Sequence, residues 1–230
     1  MNNVDNNPNY KRIYGEVCKL FLKTKHFKHG PFDETFYTLR VFESAKEIMK
    51  RLKVPCKKEQ VLVATILHDV GKTKLDDKKV FGKDSFLKGH EKEWFKHASL
   101  GVPIARNILK KMGHSEDFIK EVSYLIKNHD MRGKRGTKLK DKTLELQIIQ
   151  DADLIADCGS AGFIRPFLFS GKFNNHTIIS QIKYVQEVKH RVGMDAMINL
   201  EVSKKIAEEK MKLQKRLVSE ISKDIKSELL

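Results

Sequence analysis

The chain has 230 residues, of which 40% are hydrophobic and 33% charged, so it is long enough to bury one core and too apolar to be disordered. No apolar run approaches the roughly 20 residues that span a bilayer, so we expect no membrane partner. The first residues lack the apolar segment of a signal peptide, which predicts a cytoplasmic protein. The scattered cysteines, without any CxxC pair, are typical of reduced thiols.

Positive charge is the strongest bias of the composition, with a formal net charge of +15 at pH 7. Much of it is concentrated in residues 131–142, which hold six basic side chains and one acidic one. Such a surface attracts phosphorylated small molecules or nucleic acid. A lysine-rich proteome would give the same bias, so the charge alone leaves a phosphorylated small-molecule substrate, a nucleic-acid partner and no charged partner as alternatives.

Apolar residues recur at helical spacing along nearly the whole chain, and no segment shows the alternation of a strand. We expect Asp33 to cap the second helix and Gly71 to end the third. A polar stretch at 72–90 is predicted to be mostly loop, and a glycine-containing stretch near 159–171 separates two helices. The predicted helices cover about 11–25, 34–52, 59–70, 94–112, 117–128, 143–157, 177–192 and 194–227.

These elements indicate an all-α fold in a single domain. Residues 1–32 are predicted to form an N-terminal arm and helix, and residues 33–170 the core of the domain. Residues 171–230 are predicted to form C-terminal helices that pack on the same domain. No change of composition marks a boundary between separate domains.

An adjacent histidine and aspartate, His68 and Asp69, stand near the end of a strongly apolar predicted helix. A buried carboxylate is costly unless a positive group neutralises it, and a divalent cation held by carboxylate and imidazole does so. The alternative is a histidine satisfied within the core beside an aspartate that caps or turns the chain.

Ligand-type residues also interrupt three other apolar helices. His97 begins one of them, His129 ends another, and Asp151 and Asp153 lie within the third. Four helices that each bring a nitrogen or oxygen ligand to the core favour a metal site inside a helical bundle. The two aspartates are about 200° apart around their helix, so we expect only one of them to face a metal.

The segments that carry these residues resemble the motifs of HD-domain proteins. The signature helix of that family is matched by LVATILHDVGK, and its closing aspartate helix by IIQDADLIADCGSAGFIRPFLFSG. Its opening helix is matched by YTLRVFESA, and its additional histidine segments by GHEKEWFKHASLGVPIARNIL and YLIKNHD. The resemblance covers roughly residues 33–170.

The resemblance implies an all-α HD-type bundle and a metal-dependent phosphohydrolase that acts on a nucleotide or related phosphate ester. It also implies one or two divalent cations, such as Mn, Mg, Fe, Ni or Co, and a metal-activated water as the nucleophile. The ligands carried over from the family are His68, Asp69 and Asp153, with Asp151 as a rival to Asp153. His97 and His129 match the extra histidines of members with a second metal, and without one they would be hydrogen-bonding residues that line the pocket.

One position departs from the family pattern, because Tyr37 stands where the family has its first histidine, three residues before Arg40. A neutral phenol with an unperturbed pKa of about 10 is a poor ligand for Mg²⁺ or Mn²⁺. One alternative is that His26 or His29 folds inward from the preceding loop. The others are a site with fewer protein ligands and more waters, or a site without metal and activity.

Basic residues near these motifs are candidates for phosphate binding. The catalytic candidates are Asp69, Lys72 and Arg40, and Arg40 is expected to pair with Asp69 or a neighbouring acid. The candidate phosphate-binding residues are Lys72, Arg165, Arg132, Lys134 and Arg135. The last three of these, together with Lys138, are expected at the rim of the site, where they would steer polyanions. The alternatives are an exposed helix-end lysine for Lys72 and a structural ion pair for Arg165. For the basic loop the alternative is a segment without a role in binding, because any loop of this lysine-rich chain could look similar.

Two other functions are open at this point. Tyr37 and the net charge of +15 favour a catalytically impaired HD-fold module that binds nucleotide or nucleic acid. A di-iron oxygenase is a further alternative, since that chemistry also occurs on this fold. Bound metal and turnover of a panel of phosphate esters distinguish these functions.

Overall fold

A computed structural model describes residues 8–24, 27, 34–81, 93–132, 139, 141–170, 177 and 197–224, and every regular element within them is a helix. The prediction of an all-α fold is therefore confirmed. The helices are α1 (Pro8–Phe21), α2 (Glu34–Arg51), α3 (Lys58–Leu67), α4 (Asp77–Phe81), α5 (His97–Lys111), α6 (Glu116–Asn128), α7 (Leu144–Ala156), α8 (Gly159–Ser170) and α9 (Glu201–Asp224), with a 3₁₀ helix at Val70–Lys74. None of the described helices is long and apolar enough to cross a membrane.

Helix α3 lies at the centre of the bundle, and every side chain from Val61 to Leu67 is buried. It packs against α1, α2, α6 and α7, as a helix that is apolar on all faces must. Its sequence therefore places the turn that follows, with His68 and Asp69, inside the protein and not on its surface.

Two of the helices beside α3 begin with side-chain caps. The hydroxyl of Ser115 accepts a hydrogen bond from the Phe118 amide at 3.3 Å at the start of α6, and that of Thr143 accepts one from the Leu146 amide at 3.2 Å at the start of α7. Such caps satisfy amides that have no partner within the helix. Helix α7 lies against α2, which brings residues of these two distant segments together.

Two stretches are more helical than the sequence predicts. The polar stretch at 72–90 contains the end of the 3₁₀ helix and all of α4. The glycine-containing stretch near 159–171, expected only to separate two helices, forms α8. Its Phe163 and Phe167 pack against Val218 of α9, and this apolar contact compensates for the glycines.

Several predicted features lie outside the described residues. They are the Asp33 cap, most of the 177–192 helix, the loop histidines His26 and His29, and the basic side chains of Lys134, Arg135 and Lys138.

The prediction that Gly71 ends the third helix is wrong, because α3 ends at Leu67 with His68 as its C-cap, and Gly71 lies within the 3₁₀ helix that follows. Gly71 is needed for a close approach between the 3₁₀ helix and α5. A Cβ atom at this position would lie 1.9 Å from the His97 carbonyl oxygen and 2.4 Å from the Gly101 amide nitrogen. The missing side chain thus lets His97 come close to Asp69.

We expect Gly71→Ala to separate α5 from the turn and to lower the free energy of unfolding by about 1–3 kcal/mol, as overpacked cores do. For a chain of this size the unfolding temperature should fall by about 2–12 °C, which differential scanning calorimetry measures. The matched control is Gly15→Ala on α1, where a Cβ meets nothing within 4 Å. Equal unfolding temperatures of the two variants would contradict the role given to Gly71.

Candidate metal centre

Three buried histidines share one side-chain arrangement. Each turns its Nδ1 atom back to the carbonyl oxygen three residues earlier, at 2.8 Å for His68, 2.6 Å for His97 and 2.7 Å for His129. A carbonyl oxygen only accepts hydrogen bonds, so each Nδ1 carries its hydrogen. The backbone therefore holds each Nδ1 and leaves Nε2 as the atom that can act as a ligand once it carries no proton.

These three Nε2 atoms converge on the Asp69 carboxylate. His68 Nε2 lies 3.0 Å from Oδ2, whereas the Nε2 atoms of His97 and His129 lie 3.2 and 3.9 Å from Oδ1. The latter two nitrogens are only 3.1 Å apart. Because both rings already donate through Nδ1, their lone pairs repel each other unless a proton or a metal cation lies between them.

Asp153 of α7 faces the same point, with Oδ1 3.5 Å from His68 Nε2. Its carboxylate is held on both sides, because the Tyr37 hydroxyl donates to Oδ1 at 2.7 Å and Arg132 donates to Oδ2 at 2.5 Å. Burial and the Asp153 charge raise the pKa of Tyr37 well above its usual value. Tyr37 is therefore a neutral hydrogen-bond donor to Asp153.

Asp151, the rival to Asp153, points away from this cluster. Its carboxylate accepts hydrogen bonds from the Asn199 amide at 2.8 Å, the Asn199 side chain at 2.8 Å and the Leu200 amide at 2.9 Å. Burial raises the pKa of Asp151, although these donors oppose the shift. The residue thus holds the two residues that lead into α9 and ties this segment to α7.

The electrostatics of the cluster fit a divalent cation. Burial disfavours a charge on His68, but Asp69 and Asp153 raise the pKa of His68 to about 10. Burial and the charges of His68 and His97 lower the pKa of His129 to about 4. Positive charge is thus stabilised at His68, beside the two carboxylates, whereas His129 stays neutral at pH 7.

The buried His68 Nε2 atom also supports a metal ion at this site, because it has no hydrogen-bonding partner of suitable geometry among the described residues. One ligand atom from each of His68, Asp69 and His129 lies within 4.8 Å of the others. Imidazole nitrogens with carboxylate oxygens suit Mn, Fe, Co, Ni or Zn. The residues present therefore fit a divalent metal.

Beside the cluster, two basic side chains share one buried carboxylate. Lys72 Nζ donates to Asp69 Oδ2 at 2.7 Å and to Glu34 Oε2 at 3.0 Å. Arg165 donates to Glu34 Oε1 at 2.7 Å and to Asp157 Oδ1 at 3.2 Å. Lys72 is only 5% exposed, so the alternative of an exposed helix-end lysine is wrong. Arg165 forms ion pairs with Glu34 and Asp157, as the alternative of a structural ion pair predicted.

The structure corrects one expectation about an arginine and narrows another. Arg132 does not lie on the rim, since its side chain is 10% exposed and paired with Asp130 and Asp153. Its charge lowers the pKa of Asp130 to about 2, although burial opposes this. Of the partners expected for Arg40, the structure favours a neighbouring acid over Asp69. Burial lowers the pKa of Arg40, the charge of Asp157 opposes this shift, and the guanidinium donates to the Cys158 carbonyl at 3.3 Å.

Sequence reasoning missed three acidic residues at this site: Glu34, Asp130 and Asp157. An acid in the first turn of a helix, such as Glu34, usually needs no further explanation than the helix dipole. Asp130 and Asp157 follow helix ends, where polar residues are expected. Only their burial against arginine or lysine distinguishes them, and no sequence pattern reports that burial.

Comparison with known proteins identifies the family. The HD domain profile matches residues 36–156, more than half of the chain. The chain therefore belongs to the HD-domain family, a family of metal-dependent phosphohydrolases. No curated protein matches the chain at a significant level.

Solved structures share the fold. A predicted HD superfamily hydrolase from an uncultured Thermotogales bacterium is 22% identical with a TM-score of 0.59, over 94% of this chain and 93% of that one. Bacillus subtilis YpgQ is 18% identical with a TM-score of 0.64, over 95% of this chain and 96% of that one. The complex of YpgQ with ADP is 19% identical with a TM-score of 0.63, over 95% of each chain.

Proposed function

We propose that this protein is a metal-dependent phosphohydrolase that acts on a nucleotide or a related phosphate ester. The observation that carries the proposal is the convergence of three buried imidazoles on the carboxylates of Asp69 and Asp153, with each imidazole held by its backbone through Nδ1. A buried cluster of this kind has little structural use without a cation to bind.

His68, Asp69 and Asp153 would hold one divalent cation. His97 and His129, on the other oxygen of Asp69, would serve a second cation or the substrate phosphate. When bound, such a cation acts as a Lewis acid toward a phosphoryl oxygen and supplies a hydroxide nucleophile at neutral pH.

The surrounding residues have separate tasks. Tyr37 and Arg132 hold the Asp153 carboxylate in place from both sides. Lys72 and Arg165 are the basic groups suited to a substrate phosphate, whose developing charge they would stabilise. The His68 proton must leave before its nitrogen can act as a ligand, so binding of a cation releases a proton. Burial of the cluster keeps bulk water away and strengthens each of these interactions.

A nucleotide is the substrate class best supported. The related YpgQ structure holds ADP. The net charge of +15 favours a phosphorylated ligand, because a basic surface raises the local concentration of polyanions. We place the catalytic roles on Asp69 and Lys72, and Arg40 remains an expectation from the sequence.

The experiment uses the full chain, stripped with a chelator and reloaded separately with Mn²⁺, Mg²⁺, Fe²⁺, Ni²⁺ or Co²⁺. We expect an aryl phosphate or a nucleotide to be hydrolysed only after reloading, with one or two metal ions per chain by elemental analysis. Absence of turnover with every substrate and every cation would overturn the proposal. Nucleotide binding without turnover would then support the alternative, a catalytically impaired binding module.

A further inference from the structure

The Glu34 carboxylate occupies a position between two basic side chains. Its Oε2 accepts a hydrogen bond from Lys72 at 3.0 Å, and its Oε1 accepts one from Arg165 at 2.7 Å. A carboxylate held through both oxygens by lysine and arginine has the arrangement in which these side chains bind a phosphate group. The side chains of Glu34 and Lys72 are 6% and 5% exposed, while that of Arg165 is 22% exposed and gives this group an outer side.

Neither basic group depends on Glu34 for a counter-charge. Lys72 already pairs with Asp69 at 2.7 Å, and Arg165 already pairs with Asp157 at 3.2 Å. The Glu34 carboxylate can therefore leave without stranding either buried positive charge.

Aromatic faces also hold the two cations in place. The Arg165 guanidinium carbon lies 4.1 Å from the centre of the Tyr37 ring. Lys72 Nζ lies 4.9 Å from the centre of the Trp94 ring and 5.6 Å from that of Tyr37. Contacts of this kind attract cations without occupying their hydrogen-bonding positions. The pair would keep its position if the Glu34 carboxylate moved away.

We propose that Lys72 and Arg165 form an anion-binding site in which Glu34 is an internal competitor, displaced when a phosphate group binds. Glu34 is the first residue of α2, and its side chain is long enough to leave the site while the helix stays in place. The proposal rests on the proposed function in one respect, since it assumes that a phosphorylated ligand reaches Lys72 beside Asp69.

The test measures binding of inorganic phosphate to the full chain, stripped of metal, by isothermal titration calorimetry. An internal anion that fills the site most of the time weakens external binding in proportion to the free fraction. We therefore expect Glu34→Gln to bind phosphate at least about tenfold more tightly than the wild type. Adding Lys72→Met to Glu34→Gln should abolish this gain.

The matched control is Glu43→Gln, which removes the same charge from an exposed residue of the same helix. This control should change phosphate affinity by less than about twofold, because exposed charges are screened. Equal or weaker phosphate binding by folded Glu34→Gln would overturn the proposal and make Glu34 a counter-ion that positions the two basic groups.

Two further measurements apply even if Glu34→Gln does not fold. Glu34→Asp has a shorter side chain that cannot reach both cations, so it should also bind phosphate more tightly than the wild type. A structure of the wild type with phosphate should show the anion on Lys72 and Arg165 and the Glu34 carboxylate moved away. Phosphate seated there with Glu34 still in place would refute displacement. Because none of these readouts needs turnover, they fail separately from the proposed hydrolase activity.

Discussion

Replacing Asp153 with asparagine is expected to weaken metal binding by more than about 100-fold and to remove hydrolysis. Loss of an outer hydrogen-bonding partner of a metal site typically reduces the metal affinity 10–100-fold. This substitution takes away a ligand itself, so its effect on the affinity should be larger. Arg132 keeps Asp130 as a partner at 2.8 Å, so the variant retains a counter-charge for its buried guanidinium. Calorimetric titration with Mn²⁺ measures the effect, and circular dichroism confirms the fold.

Asp151→Asn is the matched control, since it makes the same chemical change two residues away on α7. It should keep the metal affinity within about threefold but unfold earlier. An asparagine has one accepting oxygen for the three donors supplied by Asn199 and Leu200, and its own amide would face them. One unsatisfied buried donor costs about 1–3 kcal/mol, which corresponds to a fall of roughly 2–12 °C in unfolding temperature.

The opposite pattern, with metal binding lost in Asp151→Asn and kept in Asp153→Asn, would show that the ligand has been assigned to the wrong aspartate. If both variants kept their metal binding, Asp153 would no longer belong to the proposed ligand set. The comparison depends on metal binding and unfolding temperature, so it does not require a known substrate.

The second large effect concerns Tyr37. Tyr37→His should raise the affinity for Mn²⁺ by about tenfold or more, because an imidazole at this position adds a nitrogen ligand beside Asp153 and His68. Tyr37→Phe should lower the affinity by about tenfold, because the Asp153 carboxylate then loses the 2.7 Å hydrogen bond that orients it. Each tenfold change corresponds to about 1.4 kcal/mol of binding free energy.

Titration of both variants with Mn²⁺, followed by electron paramagnetic resonance, measures these affinities directly. The control is Tyr124→Phe, which removes a phenol hydroxyl from a residue that is 37% exposed on α6. Unchanged affinity in Tyr37→Phe would mean that Tyr37 only fills space next to the ligands. Weaker binding in Tyr37→His would mean that the position is too far from the cation for a side chain to reach it.

Much of the fold followed from local patterns. The apolar periodicity predicted α2, α5, α6 and α7 to within a few residues, because a helix must bury one apolar face whatever its partners are. Helix α8 was not predicted, since its stability depends on the contact of Phe163 with Val218 more than fifty residues away. The cap predicted at Gly71 failed for a similar reason, because the approach of α5 decides the need for glycine there.

By itself, the sequence determined the all-α fold and the set of residues from which a metal site can be built. Adjacent His68 and Asp69 on an apolar helix, with ligand-type residues interrupting other apolar helices, are costly patterns that have a local signature. The order and type of these residues also carried the resemblance to the HD-domain family.

Only the tertiary structure decided which side chains meet. It placed Asp153 with His68 and sent Asp151 to the start of α9, and it turned Tyr37 from an apparent loss into a hydrogen-bond donor. It also buried Glu34 between Lys72 and Arg165. Such pairings join segments more than thirty residues apart, and their energies depend on distance and burial. Those quantities exist only after the helices have packed around α3.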